Sequence, residues 1–98
     1  MLKKSYTKTG KSCRVTFKFA PEVEAAEASV LGEFNGWDQT ANKMKRLKDG
    51  SFSTTLSLEP GSEYRFRYLL DGSTWANDAE ADKMVPNRFG GQDCIIAV

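Results

Sequence analysis

A period of two most limits what this chain can become. Cys13, Val15, Phe17 and Phe19 alternate with Arg14, Thr16 and Lys18. Phe52, Thr54, Leu56 and Leu58 alternate with Ser53, Thr55 and Ser57, and Tyr64, Phe66, Tyr68 and Leu70 alternate with Arg65, Arg67 and Leu69. Successive side chains of an extended chain point to opposite faces, so each run has one face to bury and one to leave in water. Asn35-Gly36, Asp49-Gly50, Pro60-Gly61 and Asp71-Gly72 cut the runs apart, with glycine or asparagine where a tight turn needs positive φ. Weaker strand signals cover Ser29–Phe34, with Val30, Gly32 and Phe34 inward, and Lys43–Lys48, anchored by Met44 and Leu47. Residues 74–77 and 94–98 complete the set. Residues 22–28 favour helix by propensity but are too few for a stable one, and read as a loop or a single helical turn. The spacing predicts an all-β chain, an immunoglobulin-like β-sandwich of six to eight antiparallel strands in two sheets, with 64–70 the longest and most central.

At 98 residues the chain suits one domain, expected over residues 13–98. Residues 1–12 carry Lys3, Lys4, Lys8 and Lys11 without an acid and read as a solvated, flexible basic tail. Net charge is +1, from 14 basic and 13 acidic residues, which gives no electrostatic reason to expect nucleic acid or an anionic membrane as partner. No apolar run approaches the ~20 residues that cross a bilayer, and no secretory signal is visible, so the expected compartment is the cytoplasm. There Cys13 and Cys94 are expected as free, partly buried thiols, although spacing alone leaves a disulfide open.

Much chemistry is excluded. The chain has no histidine, the commonest general base and metal ligand. Two distant cysteines make no zinc site, so no metal or cofactor is expected. Gly90-Gly91 lacks the Lys-Ser/Thr and the strand-to-helix setting of a phosphate loop. Asp38, Asp71, Asp78, Glu80 and Asp82 could form a glycosidase pair on paper. That reaction needs two carboxyls ~5–10 Å apart across an enclosed sugar, whereas a sandwich this small offers an open face. No catalytic residue is assigned, and the expectation is that the chain is not an enzyme.

The tryptophans are placed unusually. Core aromatics should lie within strands, as Phe17, Phe19, Phe66 and Tyr68 do, yet Trp37 and Trp75 each follow a turn. Each indole is either a cap on one end of the core or an exposed flat ring, and exposed flat rings suit the apolar faces of pyranoses. Residues 77–92 form a long polar connection of the kind that is often functional.

The segment Gly32-Glu33-Phe34-Asn35-Gly36-Trp37-Asp38 resembles the Gly-x-Phe-Asn-x-Trp segment of the family 48 carbohydrate-binding modules. That family includes the early-set domains preceding isoamylase and branching-enzyme barrels, and the glycogen-binding domain of the AMP-activated kinase β subunit. Tyr64 to Gly72, followed by Trp75 and Asn77-Asp78, is similar to its central strand and hairpin. Asn87-Arg88-Phe89-Gly90-Gly91 is similar to its closing loop. The resemblance runs from about Cys13 to Val98 and implies non-catalytic binding of α-1,4-linked glucans. It implies stacking platforms at Trp37 and Trp75, hydrogen bonds to sugar hydroxyls from Arg67, and an apolar residue, Phe89, projecting into the curve of the glucan. Asp93 falls where the kinase version has a sugar-bonding asparagine. Ionised, it accepts hydrogen bonds but does not donate. Gly91 replaces a hydroxyl residue, and Ser73 or Thr74 is an extra residue before Trp75. From the residues alone, Arg67 could equally lie on a solvated strand face, and Phe89 and Asp93 could serve loop packing or capping.

Covering ~100 Å² of sugar and ring surface at ~25 cal/mol/Å² is worth ~2–3 kcal/mol per stack. Against an association cost of at least ~4 kcal/mol, two stacks and a few exposed hydrogen bonds imply micromolar to millimolar affinity. The alternative is an accessory module that docks on a separate glycoside hydrolase or glycogen-metabolism enzyme and has lost sugar binding. It should show a broad apolar patch away from the tryptophans.

Overall fold

The computed structural model describes residues 2–21 and 24–98. Among them are nine strands: β1 (Leu2–Tyr6), β2 (Cys13–Phe19), β3 (Ala28–Gly32), β4 (Lys45–Arg46), β5 (Phe52–Leu58), β6 (Glu63–Leu70), β7 (Thr74–Ala76), β8 (Lys83–Pro86) and β9 (Gln92–Ala97). They form two antiparallel sheets, one in the order β1-β2-β5-β4, the other β3-β6-β9-β8 with β7 paired to β6. This is the expected immunoglobulin-like sandwich, with strand count and boundaries differing from the sequence expectation in three places. No helix among the described residues is long and apolar enough to cross a membrane.

The inner faces are those the alternation marks. Val15, Phe17, Phe52, Phe66 and Tyr68 are fully buried, joined by Val30 and Ile96. Aromatic rings tie the two sheets together. Phe17 meets Phe66 edge-on at 5.2 Å, and Phe19 stacks on Tyr68 at 4.3 Å between centroids, geometries that add to simple burial. The Tyr68 hydroxyl donates to Asp78 Oδ2 at 2.8 Å, so this buried polar group is satisfied. Cys13 and Cys94 are both free and buried. Cys94 Sγ accepts a hydrogen bond from the Asp78 amide at 3.1 Å, and burial pushes its thiol pKa up.

The first difference concerns the amino terminus. Residues 2–6, expected in a flexible tail, form β1 in register with β2, Leu2 opposite Phe17 and Tyr6 opposite Cys13. Leu2 packs against the core, and Lys4 Nζ reaches Asp82 Oδ2 at 2.8 Å. The lysines hid a strand whose inward positions are Leu2, Lys4 and Tyr6, so the sandwich begins before residue 13. The second is β8, inside the stretch read as a long polar connection, paired with β9. Its weak alternation, Lys-Met-Val-Pro, fits an edge strand, where one side of the ladder is unpaired and proline is tolerated. The third is the chain after Gly32, which leaves the sheet in one 3-10 turn, Glu33–Asn35, instead of extending to Phe34. Of the region read as a loop or helical turn, residues 22 and 23 lie outside the described residues, and 24–27 carry no helix.

Candidate functional site

Strand register builds the floor of an open trough on the outer face of the five-stranded sheet. Val30, Phe66, Tyr68 and Cys94 face the core, so Leu31, Arg65, Arg67 and Asp93 face outward. Leu31 pairs with Arg67 across β3 and β6, and Trp75 pairs with Leu69 across β6 and β7. Two loops form the banks: 33–37 after β3, and 87–91 between β8 and β9. The trough has a volume of about 880 Å³, and its lining includes Trp37, Arg67, Trp75, Phe89 and Asp93. All five residues singled out from the sequence therefore meet in one place, although they come from segments up to 56 positions apart.

The Trp37 bank is fixed by four residues with distinct tasks. A side chain at Gly32 would collide with the Arg65 carbonyl and stand 2.8 Å from the Phe34 ring, so only glycine lets β3 lie this close. Phe34 packs inward, its ring 5.8 Å from Phe17 and 6.2 Å from Tyr64. Asn35 is the fastener. Its Oδ1 accepts from the amides of Gly32 and Trp37, both at 3.1 Å. Its Nδ2 donates to Val30 O at 3.0 Å and Asn42 Oδ1 at 2.8 Å. Gly36 then turns at φ 66°, and Trp37 itself holds φ 60°, a left-handed conformation that costs a bulky residue about 1–2 kcal/mol. The Trp37 amide also donates to Gly32 O at 3.0 Å. The strained backbone places a half-buried indole on the trough wall. Beyond it, the Thr40 amide and hydroxyl both donate to Asp38 Oδ1 at 2.8 Å, which lowers the Asp38 pKa.

Trp75 is 43% exposed. The Arg67 guanidinium lies over its ring, 5.3 Å from the centroid, a cation–π contact that orients both groups. Arg67 Nε donates to Asn77 Oδ1 at 2.9 Å, and Asn77 Nδ2 donates to Gln92 O at 3.1 Å. Of the two indoles, Trp75 is the more open, but one of its faces is shared with an arginine rather than bare.

On the opposite bank, Phe89 is 87% exposed. Asn87 shapes its loop by accepting from the Phe89 amide at 3.0 Å and the Gly91 amide at 3.1 Å. Asp93 lies in the lining of the trough with its carboxylate already engaged by protein partners. It is buried, with Oδ2 3.3 Å from Arg65 Nη1 and Oδ1 accepting from Asn87 Nδ2 at 3.1 Å. Asp93 thus clamps the Phe89 loop to the sheet, the capping role that the residues alone left open. Glu33 binds the other bank to the same strand, its Oε1 accepting from the Arg65 amide at 2.7 Å.

The sequence reading missed the fasteners Glu33, Arg65, Asn77 and Asn87 and saw Asn35 only as a turn former. Asn87 sits four residues before a glycine in a Gly-rich loop, which was the available signal for an Asx-type turn. Glu33, Arg65 and Asn77 carried no signal of a fastening role. Of the carboxylates considered for catalysis, Asp71 accepts from the amides of Ala26 and Glu27, Asp78 holds Tyr68, and Asp82 holds Lys4 and the Ala97 amide. Among the described residues no group of three or more Cys, Asp or Glu side chains is placed to hold a metal ion.

Comparison with known proteins adds an independent line. The family model described as the glycogen recognition site of AMP-activated protein kinase matches residues 13–98. Protein PTST homolog 2, chloroplastic, of Arabidopsis thaliana is 41% identical over 54 residues, 55% of this chain and 10% of that protein. A 1,4-alpha-glucan branching enzyme GlgB of Photobacterium profundum is 43% identical over 56 residues, 56% of this chain and 7% of the enzyme. Protein FLOURY ENDOSPERM 6, chloroplastic, of Oryza sativa subsp. japonica is 39% identical over 54 residues, 55% and 10% of the two chains. The chain spans about a tenth of the length of these relatives or less.

Proposed function

Because this chain belongs to the family of the glycogen recognition site of AMP-activated protein kinase, we propose that it binds α-1,4-linked glucans of the glycogen and starch kind and carries out no catalysis. The observation that carries the reading is the convergence of Trp37, Trp75, Phe89 and Arg67 on one open trough. Three apolar rings around a shallow groove match a ligand whose sugar units each offer an apolar face and a rim of hydroxyls. Arg67 Nη groups and the edges of Gln39 and Asn87 supply polar partners along the same groove. The branching enzymes among the relatives act, by their printed name, on 1,4-α-glucan, which supports the ligand class. Nothing in the comparisons favours the docking alternative.

The assigned roles are stacking for Trp37 and Trp75, hydroxyl recognition for Arg67 and insertion into the glucan's curve for Phe89. Trp75 is exposed over 43% of its surface, about 100 Å² for an indole-bearing residue, so a stack there is worth about 2–3 kcal/mol. Affinity for a maltooligosaccharide should fall between micromolar and millimolar. The test is calorimetric titration of the full chain with maltoheptaose, with cellohexaose as control. Trp37→Ala or Trp75→Ala should weaken maltoheptaose binding at least ~30-fold, and cellohexaose should not bind. Wild-type affinity in both variants would refute the role of the indoles.

A further inference from the structure

An overall charge of +1 hides a division between the two sheets. The strands of the four-stranded sheet carry Lys3, Lys4, Arg14, Lys18, Lys45 and Arg46 and no acidic residue. The strands of the other sheet mix both signs, with Arg65, Arg67 and Lys83 beside Glu63 and Asp93.

Register gathers most of that positive charge on one surface. Val15 and Phe17 are buried in the core, so Arg14, Thr16 and Lys18 of β2 face outward. Residues paired across antiparallel strands share a face. Lys3 and Ser5 of β1 pair with Thr16 and Arg14. Ser57, Thr55 and Ser53 of β5 pair with Arg14, Thr16 and Lys18, and Lys45 of β4 pairs with Ser53. Four cations therefore stand among five hydroxyls on the side of the sandwich away from the trough. Lys18 reaches Asp49 at the rim, at 4.0 Å. Lys3, Arg14 and Lys45 are in no ion pair among the described residues. The diagonal neighbours of Lys3 on β2 are Arg14 and Lys18, a separation of about 7–8 Å. That is within the Debye length of about 8–10 Å, so these charges repel one another in physiological salt.

We propose that this face docks an extended acidic segment of another protein, with Asp or Glu at alternating positions. Carboxylates complement the charge and relieve the repulsion. Same-side residues of an extended segment lie about 6.6–6.8 Å apart, close to the diagonal spacing of the cations, and the hydroxyls between them donate to carboxylate and carbonyl oxygens. The face is four strands wide and at most 7 residues long, roughly 450 Å². That is about half of what each partner gives to a stable interface between folded proteins, and it suits a segment. The outward positions hold no aromatic ring on which a nucleic-acid base could stack and no apolar side chain to enter a bilayer. The proposal does not rest on the glucan-binding reading, because the trough lies on the other sheet.

The experiment follows backbone amides of the full chain during titration with a peptide of alternating Glu and Ser, in the absence of sugar, and repeats it with alternating Gln and Ser. The acidic peptide should shift Arg14, Lys18, Lys45 and Ser53 and leave Trp37 and Trp75 unmoved, and the Gln peptide should shift none of them. Arg14→Ser combined with Lys45→Ser should weaken the acidic peptide at least ~10-fold. Both positions are exposed, and an amide spectrum unchanged elsewhere shows that the variant is folded. Equal binding of the two peptides, shifts confined to other surfaces, or wild-type affinity in the double variant would overturn the proposal. Phosphatidylserine-containing vesicles and polyuridylate are titrated alongside, and tighter binding of either than of the acidic peptide would overturn the assignment to a protein segment.

Discussion

Asn35 touches no proposed ligand, yet the structure makes it the residue on which the orientation of Trp37 depends. Asn35→Ala removes four hydrogen bonds, two accepted by Oδ1 and two donated by Nδ2. The Trp37 amide keeps its bond to Gly32 O, so three donor or acceptor groups, on Gly32, Val30 and Asn42, lose this partner. At a net ~0.5–1.5 kcal/mol per bond, the variant should lose about 2–4 kcal/mol. A chain of this length has roughly 5–15 kcal/mol of stability, so it stays folded. With a urea m-value of about 1–1.5 kcal/mol/M, the unfolding midpoint should drop by roughly 2 M. The functional effect has a separate origin. Trp37 holds φ 60°, and once the Asn35 bond is gone the backbone can release about 1–2 kcal/mol of left-handed strain. Recovering the binding conformation then costs that amount again, so maltoheptaose affinity should fall about 10-fold. Asn35→Asp retains the acceptor oxygens but loses both donations, and should lie between the two proteins in stability while binding nearly normally. Urea unfolding followed by calorimetry on the same samples measures both effects. A lowered midpoint with unchanged affinity in Asn35→Ala would refute the claim that this amide holds the indole in place.

Gly32→Ala should destabilise by about 1–3 kcal/mol through overpacking against the Arg65 carbonyl and Phe34. Gly32 has φ −171°, ordinary extended backbone, so the cost is steric alone and Gly32→Ser should show it too; a thermal midpoint within 2 °C of wild type in both variants would contradict this. At high pH, burial and then the Asp78 carboxylate push the Tyr68 hydroxyl far above its usual range, and burial raises Cys94. The fold keeps these protons while the unfolded chain releases them, so stability is complete below pH ~8.5 and falls as pH climbs through the unfolded values of ~8.5 and ~10, by ~1.4 kcal/mol per pH unit for each group. Tyr68→Phe should cost 1–3 kcal/mol at neutral pH by leaving Asp78 without this donor, and should flatten the alkaline limb by one proton; urea midpoints between pH 8 and 11 that keep the wild-type slope would count against it.

The chain's own residues settled the sandwich before any coordinates. Alternation at 13–19, 52–58 and 64–70 encodes which face each strand buries, because an extended backbone has only two faces, and glycine-bearing turns encode where strands end. The same local logic failed at β1 and β8. An edge strand buries little, its inward positions tolerate Lys4 and Met84, and the alternation fades into polar sequence. Tryptophans that follow turns, within recognisable short motifs, were likewise visible as candidates for the site. Only the tertiary structure decided that Trp37, Trp75, Arg67 and Phe89 share one trough, since register between β3, β6, β7 and β9 is a property of strand pairing and not of any one segment. Packing also gave Asp93 partners that its sequence position did not show, Arg65 and Asn87, which it holds from within the trough lining. A residue type states what a side chain can bond; the neighbours that folding brings to it determine which of those bonds are already made.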